Sequence, residues 1–225
     1  MKKQNFSGRN PVKSPSKNRH YVHDHYTRKA FQEGYNARSV FKLKEIDQKH
    51  KLLKPGMRVL DLGAAPGSWS RYVLQRIQAS GQKAPRSWLC AVDLQELDRE
   101  LQTSPHVCFL QADFTTPELR QLLLPYVRQG GLFDVVLSDM APRTTGNRTV
   151  DTGHSEALVA EILAALPQFL KVGGSLLFKL FQGGGERHVE EELRDIFTSC
   201  QRLKPETVRS RSFEIYFLCR NYLPK

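Results

Sequence analysis

One short segment constrains the fold of this chain more than any other. Residues 59–74, VLDLGAAPGSWSRYVL, have the pattern of a buried strand, then a turn with two glycines, then a helix. Where such a turn follows a strand of a parallel sheet, glycine lets the backbone approach a ligand closely. Phosphates, dinucleotides and sulfonium cofactors all bind at turns of this kind. The segment therefore predicts a ligand site and leaves the ligand open.

Strand and helix signals alternate along the rest of the chain. Apolar runs typical of buried strands lie at 58–62, 88–92, 107–110, 133–137, 175–180 and 215–219, and helical stretches at 36–48, 68–79, 117–128, 155–170 and 186–199. Strands separated by helices predict an α/β fold with a mostly parallel sheet that is covered by helices on both faces. A further strand near 206–209 would be separated from the last one by only a short turn. We therefore expect seven strands, one of them antiparallel.

The spacing of the two glycines narrows the choice of ligand. A dinucleotide-binding fold would show G-x-G-x-x-G, whereas Gly63 and Gly67 are separated by Ala-Ala-Pro. A phosphate-binding P-loop would place a lysine after the second glycine, and the sequence there is Ser68-Trp69. The turn is therefore not a typical phosphate site.

Three aspartates lie at or just after the ends of three predicted strands. Asp93 ends the second strand, where a carboxylate suits a ribose diol. Asp113 follows the third strand, where an adenine amino group would need an acceptor, and Asp139 ends the fourth. A single carboxylate after a strand is more often a helix cap or a solvated turn. Three together with a glycine turn favour a cationic ligand with a diol and an adenine, and S-adenosylmethionine has all three features.

The basic excess is concentrated at the N-terminus. The net charge is +11, and residues 1–29 hold eight Lys and Arg against Asp24 alone. Residues 1–20 contain almost nothing apolar, so we expect a disordered basic arm there, followed by one folded domain over 21–225. This uneven distribution of charge along the chain indicates a polyanionic partner. The alternative is a tail that only increases solubility.

Several other classes of protein are disfavoured by the sequence. No apolar run approaches the roughly 18 residues that span a bilayer, and no secretory signal is recognisable, so a cytoplasmic protein without membrane contact is expected. A mitochondrial presequence would need an apolar face, which residues 1–19 lack. The histidines of HYVHDHY, residues 20–26, are irregularly spaced, and the cysteines form no C-x-x-C pair. We therefore expect no metal site and interpret the histidine segment as an RNA-contacting surface.

Five segments together resemble the FtsJ-type RNA 2′-O-ribose methyltransferases. They occur in the family's order between residues 35 and 222 and are ARSVFKLKEID, KPGMRVLDLGAAPGSWS, DVVLSDMAP, GGSLLFKLFQG and RSRSFEIYFL. The resemblance implies a Rossmann-like class I methyltransferase fold that uses S-adenosylmethionine. It implies as cofactor-binding residues Gly67, Trp69, Asp93, Asp113 and Asp139, to which the glycine turn adds Gly63. The chain departs from the family at Ser68, where a second glycine is usual, and the added hydroxyl can alter the turn.

The family's catalytic Lys-Asp-Lys-Glu set falls on Lys42, Asp139, Lys179 and Glu214. From the residues alone, Lys179 lies near the end of an apolar strand, where a lysine must pair, reach solvent or take part in chemistry. By pattern alone, Lys42 fits a solvated helix face better than a site, whereas Glu214 fits a surface ion pair and a site equally well. The resemblance favours the site for both. In the implied reaction a ribose 2′-oxygen attacks a sulfonium methyl without a metal. Lys179 would accept the proton, Lys42 would stabilise negative charge, and the two carboxylates would position the reacting groups.

The resemblance implies methylation of a uridine in large-subunit (23S) ribosomal RNA within the assembled subunit. We expect a monomer that binds ribosomal RNA and no DNA. The same chemistry on transfer RNA, an mRNA cap or mitochondrial ribosomal RNA stays open, because relatives acting on those RNAs share the four catalytic residues. A non-catalytic ribosome assembly factor is a further alternative, which the complete set disfavours. Residues 140–157, which carry Arg143 and Arg148, are expected to form a long substrate-facing loop.

Overall fold

The computed structural model describes residues 25–79, 87–208 and 212–224, so the predicted arm over 1–20 lies outside the described residues. Within these ranges, seven strands form one sheet in the order β3-β2-β1-β4-β5-β7-β6. The strands are β1 (Arg58–Leu62), β2 (Trp88–Asp93), β3 (Val107–Gln111), β4 (Phe133–Ser138), β5 (Leu170–Phe181), β6 (Phe197–Leu203) and β7 (Glu214–Tyr222). The predicted α/β class and the seven-stranded sheet are confirmed.

The strand directions place the ligand-binding edge of the sheet. Strands β1 to β5 pair in parallel, and β7 lies antiparallel between β5 and β6. From β1 the chain builds outward to β3 and then returns to place β4 on the other side of β1. Loops diverge at such a reversal and leave a crevice at the carboxyl ends of the strands. The glycine turn after β1 lies at this crevice.

Helices cover both faces of the sheet. They are α1 (His25–Gln32), α2 (Val40–His50), α3 (Ser68–Ile77), α4 (Arg99–Gln102), α5 (Pro117–Gly130), α6 (Arg148–Phe169) and α7 (Glu186–Ile196). Apolar residues of α1, α2 and α3 pack in one core, and those of α5, α6 and α7 pack in another on the opposite face. Neighbouring residues within a strand serve opposite cores: Tyr216 faces α2, and Phe217 faces the other layer.

The predictions near the carboxyl terminus are partly wrong. The helix predicted over 186–199 ends at Ile196. The strand predicted near 206–209 is absent at 206–208, where the chain turns, and residue 209 lies outside the described part. The seventh strand is instead β6, which follows α7 directly and pairs with β7. Most β6 side chains are exposed or half-buried, so this edge strand lacks the apolar run that marks the central strands.

The prediction of a long loop over 140–157 is also wrong, because the second half of this segment is helical. Helix α6 begins at Arg148, and the side chain of Asn147 caps it by accepting hydrogen bonds from the backbone N–H groups of Thr149 and Val150. The buried Asp151 carboxylate accepts the N–H and hydroxyl of Thr145, which fixes the approach to the helix. Arg143 stays in the remaining loop, whereas Arg148 lies in the first turn of α6.

Candidate active site

The turn after β1 requires glycine at two positions. Gly63 has φ +75°, and a Cβ there would lie 2.8 Å from the Met140 side chain and 2.9 Å from the Met140 backbone nitrogen. Gly67 has φ +115°, and its Cβ would lie 2.6 Å from Leu101 Cδ1. Side chains other than hydrogen are disfavoured by both the backbone angle and the space. The turn can therefore lie close against the loop after β4 and against α4.

A cavity of about 850 Å³ opens over this turn at the carboxyl ends of β1, β2 and β4. Four of the six predicted cofactor residues line it, namely Gly63, Asp93, Asp113 and Asp139. Phe114 and Met140 add apolar wall. Small-molecule sites are commonly of this size and are mostly apolar with a few polar groups. The cavity therefore fits a nucleoside-sized ligand.

Two of the lining carboxylates are oriented by backbone groups. The Oδ2 atom of Asp93 accepts the Ala65 N–H at 2.9 Å, and its Oδ1 atom accepts the Gln95 N–H at 2.8 Å. The Oδ1 atom of Asp113 accepts both the N–H and the hydroxyl of Thr115, at 2.9 and 2.7 Å. A carboxylate has about four acceptor positions, so both retain capacity toward the cavity.

Gly67 and Trp69 are not among the residues that line this cavity. Gly67 is the N-cap of α3. The Trp69 ring is buried, and its Nε1 donates to the Ser39 carbonyl oxygen at 2.9 Å. Phe114 and Met140 were missed by the sequence analysis, although each directly follows a predicted site aspartate, which was the available signal.

The four residues of the predicted catalytic set come together as two ion pairs, which we call the tetrad (Lys42, Asp139, Lys179 and Glu214). The Nζ atom of Lys179 donates to Asp139 Oδ1 at 2.9 Å and to the Asp139 carbonyl oxygen at 2.6 Å. The ammonium of Lys42 pairs with the Glu214 carboxylate. These side chains are only 8 to 16% exposed, so both pairs are largely shielded from solvent.

Tyr216 connects the two ion pairs. Its hydroxyl donates to Asp139 Oδ1 at 2.9 Å, and Lys42 Nζ lies 5.8 Å from the centre of its ring. Burial and the carboxylates of Asp139 and Glu214 raise the pKa of Tyr216 well above its usual value, so the phenol stays a proton donor. The sequence analysis missed Tyr216 within an apolar run. The available signal was its spacing, because residues two apart in a strand share a face and Glu214 precedes it by two.

A further carboxyl group lies in the core beneath the site. Asp61 on β1 is fully buried, and its Oδ2 atom accepts the Ser70 hydroxyl at 2.7 Å. Its Oδ1 atom is buried without a hydrogen-bond partner among the described residues. Burial raises the pKa of Asp61 to about 7; the Ser70 hydrogen bond opposes this rise, and the nearby Asp139 and Asp93 carboxylates add to it.

Ser68, the departure from the family pattern, joins the glycine turn to the segment that precedes α2. Its Oγ atom accepts the Ala37 N–H at 2.7 Å, and the serine is buried. The neighbouring hydrogen bond from Trp69 to Ser39 makes a second link to the same segment. Because α2 carries Lys42, these two hydrogen bonds connect the glycine turn to the tetrad.

Replacing this hydroxyl should destabilise the protein measurably. We expect Ser68→Ala to lower the free energy of unfolding by about 1 kcal/mol, because the half-buried Ala37 N–H loses its acceptor. Urea unfolding followed by tryptophan fluorescence measures the change. Ser199→Ala, at an exposed position on β6, is the matched control and should cost less than about 0.5 kcal/mol. Equal losses in the two variants would show that the Ser68 hydrogen bond adds nothing.

The fold and the site together define a class. A sheet of order 3-2-1-4-5-7-6 with antiparallel β7 and a ligand cavity over the first glycine turn is that of the Rossmann-like methyltransferases. The chain belongs to one family within this class, because the model of the FtsJ-like methyltransferases matches residues 35–222. Along the described ranges, no helix is long and apolar enough to cross a membrane. Nor does any cluster of metal-ligating side chains occur there.

Comparison with known proteins gives the same assignment. The chain is 43% identical over 205 residues to the ribosomal RNA large subunit methyltransferase E of Desulfatibacillum aliphaticivorans, covering 91% of this chain and 93% of the relative. It is 41% identical to the protein of that name from Treponema denticola, covering 90 and 96%. A crystal structure from Plasmodium falciparum, described as a ribosomal RNA methyltransferase, is 26% identical with a TM-score of 0.71 and covers 85% of this chain and all of that one.

Proposed function

We propose that this chain transfers a methyl group from S-adenosylmethionine to a ribose 2′-hydroxyl of large-subunit ribosomal RNA. The observation that carries the proposal is the tetrad, whose two shielded ion pairs are linked through Tyr216 and reach the cavity over the glycine turn at Asp139. Asp139 belongs to both features. Family membership supports the reaction class, and the names of the relatives support the substrate.

The cavity residues fit the chemical groups of S-adenosylmethionine. Asp93 is suited to accept the ribose diol, and Asp113 to accept the adenine amino group. Gly67 and Trp69 would act through the backbone at the start of α3, where N–H groups without intrahelical partners suit the carboxylate of the methionine part. When bound, the cofactor supplies an electrophilic methyl group. We propose no metal in the reaction.

Lys179 is the proposed proton acceptor. In the resting ion pair Lys179 is an ammonium, so we propose that it releases one proton to solvent before the reaction. The neutral amine then has two N–H groups and one lone pair. The two hydrogen bonds from Lys179 to Asp139 use both N–H groups, which leaves the lone pair for the proton of the 2′-hydroxyl. As the 2′-hydroxyl became methylated, its proton would pass to Nζ of Lys179, and the Asp139 carboxylate would stabilise the ammonium that forms. The cofactor would supply the methyl group and leave as the neutral thioether.

The other residues of the tetrad position groups and stabilise charge. Lys42, held by Glu214, places a positive charge where negative charge develops on the 2′-oxygen. The Tyr216 hydroxyl and the Lys179 amine both donate to Asp139 Oδ1, which fixes the orientation of that carboxylate. Holding the hydroxyl in line with the methyl group supplies much of the acceleration.

We propose a uridine of 23S ribosomal RNA in the assembled subunit as the acceptor, and a cytoplasmic monomer as the active form. Transfer RNA, an mRNA cap and mitochondrial ribosomal RNA are alternative acceptors with the same chemistry. Mapping 2′-O-methyl groups in all cellular RNA, with and without the gene, distinguishes them. Loss of one mark in large-subunit RNA is expected. Loss of a mark only in another RNA would reject the acceptor and keep the chemistry.

Asp93→Ala should weaken binding of the cofactor. Loss of the charged acceptor of the ribose diol should weaken the binding free energy by on the order of 1.5–3 kcal/mol, which raises Kd by about tenfold or more. Calorimetry with S-adenosylmethionine measures this Kd without any acceptor RNA. Glu96→Ala, an exposed carboxylate three residues further along, is the matched control and should leave Kd unchanged. If both variants bind like the wild type, Asp93 only orders the turn through Ala65 and Gln95.

A further inference from the structure

A second cavity, of about 480 Å³, lies just beyond the carboxyl end of β5, the strand that carries Lys179. Its walls are the first turn of α6, with Arg148, Thr149 and Thr152, and the loop after β5, with Gln182 and Gly183. The Gln182 N–H donates to the Phe213 carbonyl oxygen at 2.7 Å. Phe213 directly precedes Glu214 of the tetrad, so this cavity lies beside the Glu214 end of the tetrad.

Arg148 is held in a fixed orientation at this cavity. Its Nε and Nη2 atoms donate to the Gln182 carbonyl oxygen at 3.3 and 3.1 Å. The centre of its guanidinium lies 5.5 Å from the centre of the Phe213 ring, which in turn contacts the Phe181 ring edge-to-face. We call this arrangement of Arg148, Gln182 and Phe213 the arginine shelf. The side chain is thus exposed and yet ordered by three contacts.

No carboxylate among the described residues neutralises the charge of Arg148. Across the described ranges, no Asp or Glu lies within ion-pair distance of its guanidinium, in contrast with Arg71, Arg120 and Arg202. Glu186 also lines the cavity, but its Oε2 atom accepts the Gly184 N–H at 2.7 Å. A guanidinium has five N–H donors, and the hydrogen bonds to Gln182 use two of them. The remaining donors are available to an anionic ligand.

We propose that the arginine shelf binds the nucleotide adjacent to the one that is methylated. Its base stacks on the face of the guanidinium opposite Phe213, and its phosphate accepts the remaining N–H groups. Single-stranded bases stack on aromatic rings and on guanidinium planes, and arginine binds phosphate through paired N–H donors. This inference rests on the proposed function, because the shelf's position beside Glu214 identifies the ligand as part of the acceptor RNA.

The test compares Arg148→Ala, Arg148→Lys and the control Arg128→Ala. Arg128 is exposed near the end of α5, close to the start of β1 and away from the carboxyl ends of the strands, and its replacement removes the same charge. The acceptor is large ribosomal subunits from cells that lack the methyltransferase. We expect Arg148→Ala to raise KM for the subunits about tenfold, the scale on which one stacked base contributes to binding, with kcat within about threefold of wild type. Calorimetry should give the wild-type Kd for S-adenosylmethionine.

The lysine variant and a salt series separate stacking from charge. Co-sedimentation measures the binding constant for subunits at each salt concentration. The slope of its logarithm against the logarithm of the salt concentration should be shallower by about 0.7 in Arg148→Ala and unchanged in Arg148→Lys. Because lysine lacks the planar guanidinium on which a base can stack, KM should stay raised in Arg148→Lys. Full recovery of KM by lysine, or a KM in Arg148→Ala equal to that of Arg128→Ala, overturns the proposal. Wild-type protein that binds subunits without methylating them would reject the proposed function, while the binding comparison still decides the role of the shelf.

Discussion

Lys179→Ala should lose methyl transfer by a factor of about 10² to 10⁴, the usual contribution of a positioned general base. The lysine contacts Asp139 at the rim of the cavity and does not line the part beside Asp93 and Asp113. Binding of S-adenosylmethionine should therefore survive. A tritiated-methyl assay and calorimetry on the same preparation measure the two effects separately. Activity within about tenfold of wild type would contradict the assignment of Lys179 as the base.

Two further variants distinguish a base from a mere positive charge. Lys179→Arg keeps the charge and can donate to Asp139, but a guanidinium does not lose its proton in proteins. It should therefore be as inactive as Lys179→Ala. Lys54→Ala, at an exposed position before β1, is the matched control and should remain fully active. Substantial activity in Lys179→Arg would assign Lys179 an electrostatic role instead.

The stability of the protein should fall as the pH rises from about 4 to about 7, because of Asp61. Burial raises the pKa of this carboxyl to about 7 in the folded protein, whereas an unfolded chain has a value near 3.9. Between these values the folded state holds a proton that the unfolded state releases. The contribution to the free energy of unfolding is thus complete at low pH and lost by pH 7, on the order of 4 kcal/mol in total.

Asp61→Asn isolates this contribution, since an amide does not titrate. The free energy of unfolding of Asp61→Asn minus that of wild type should rise by about 2–3 kcal/mol between pH 5 and pH 8. Urea unfolding of both proteins at four pH values gives the difference. Glu96→Gln, an exposed acid-to-amide change, should shift the free energy equally at every pH. A difference for Asp61→Asn that does not vary with pH would mean that the carboxyl is ionised in the folded protein.

Sequence periodicity was sufficient for most of the sheet. Strands β1, β2, β4 and β7 and the second half of β5 are mostly buried on both faces, and β3 is half-buried, so their apolar runs have few alternative interpretations. Strand β6 was not predictable in this way, since its position is determined by pairing with β7. The start of α6 was misplaced because Asn147 and Asp151, which organise it, have side chains that suit loops equally well.

The candidate site was predictable to a different degree for each residue. The strand-end aspartates followed from chain order alone, because carboxyl ends of parallel strands share one edge. Lys42 did not, since it lies on a helix whose distance from β7 is set by tertiary packing. Only the family pattern indicated it. Tyr216 was hidden because an aromatic residue in a buried strand fits a core position as well as a site position.

The ion pairing of the tetrad also determines how the site meets a polyanion. Two lysines face two carboxylates, so the resting tetrad, our proposed reaction centre, is formally neutral and should exert little net attraction on RNA. Long-range steering must then come from cations outside it, and the largest excess of these lies in residues 1–29, with eight Lys and Arg against one Asp. Attraction of RNA would then depend on one set of charges, the N-terminal cations, and methyl transfer on another, the tetrad. Substitutions among these N-terminal cations should therefore change the affinity for RNA and leave the charge of the tetrad unchanged.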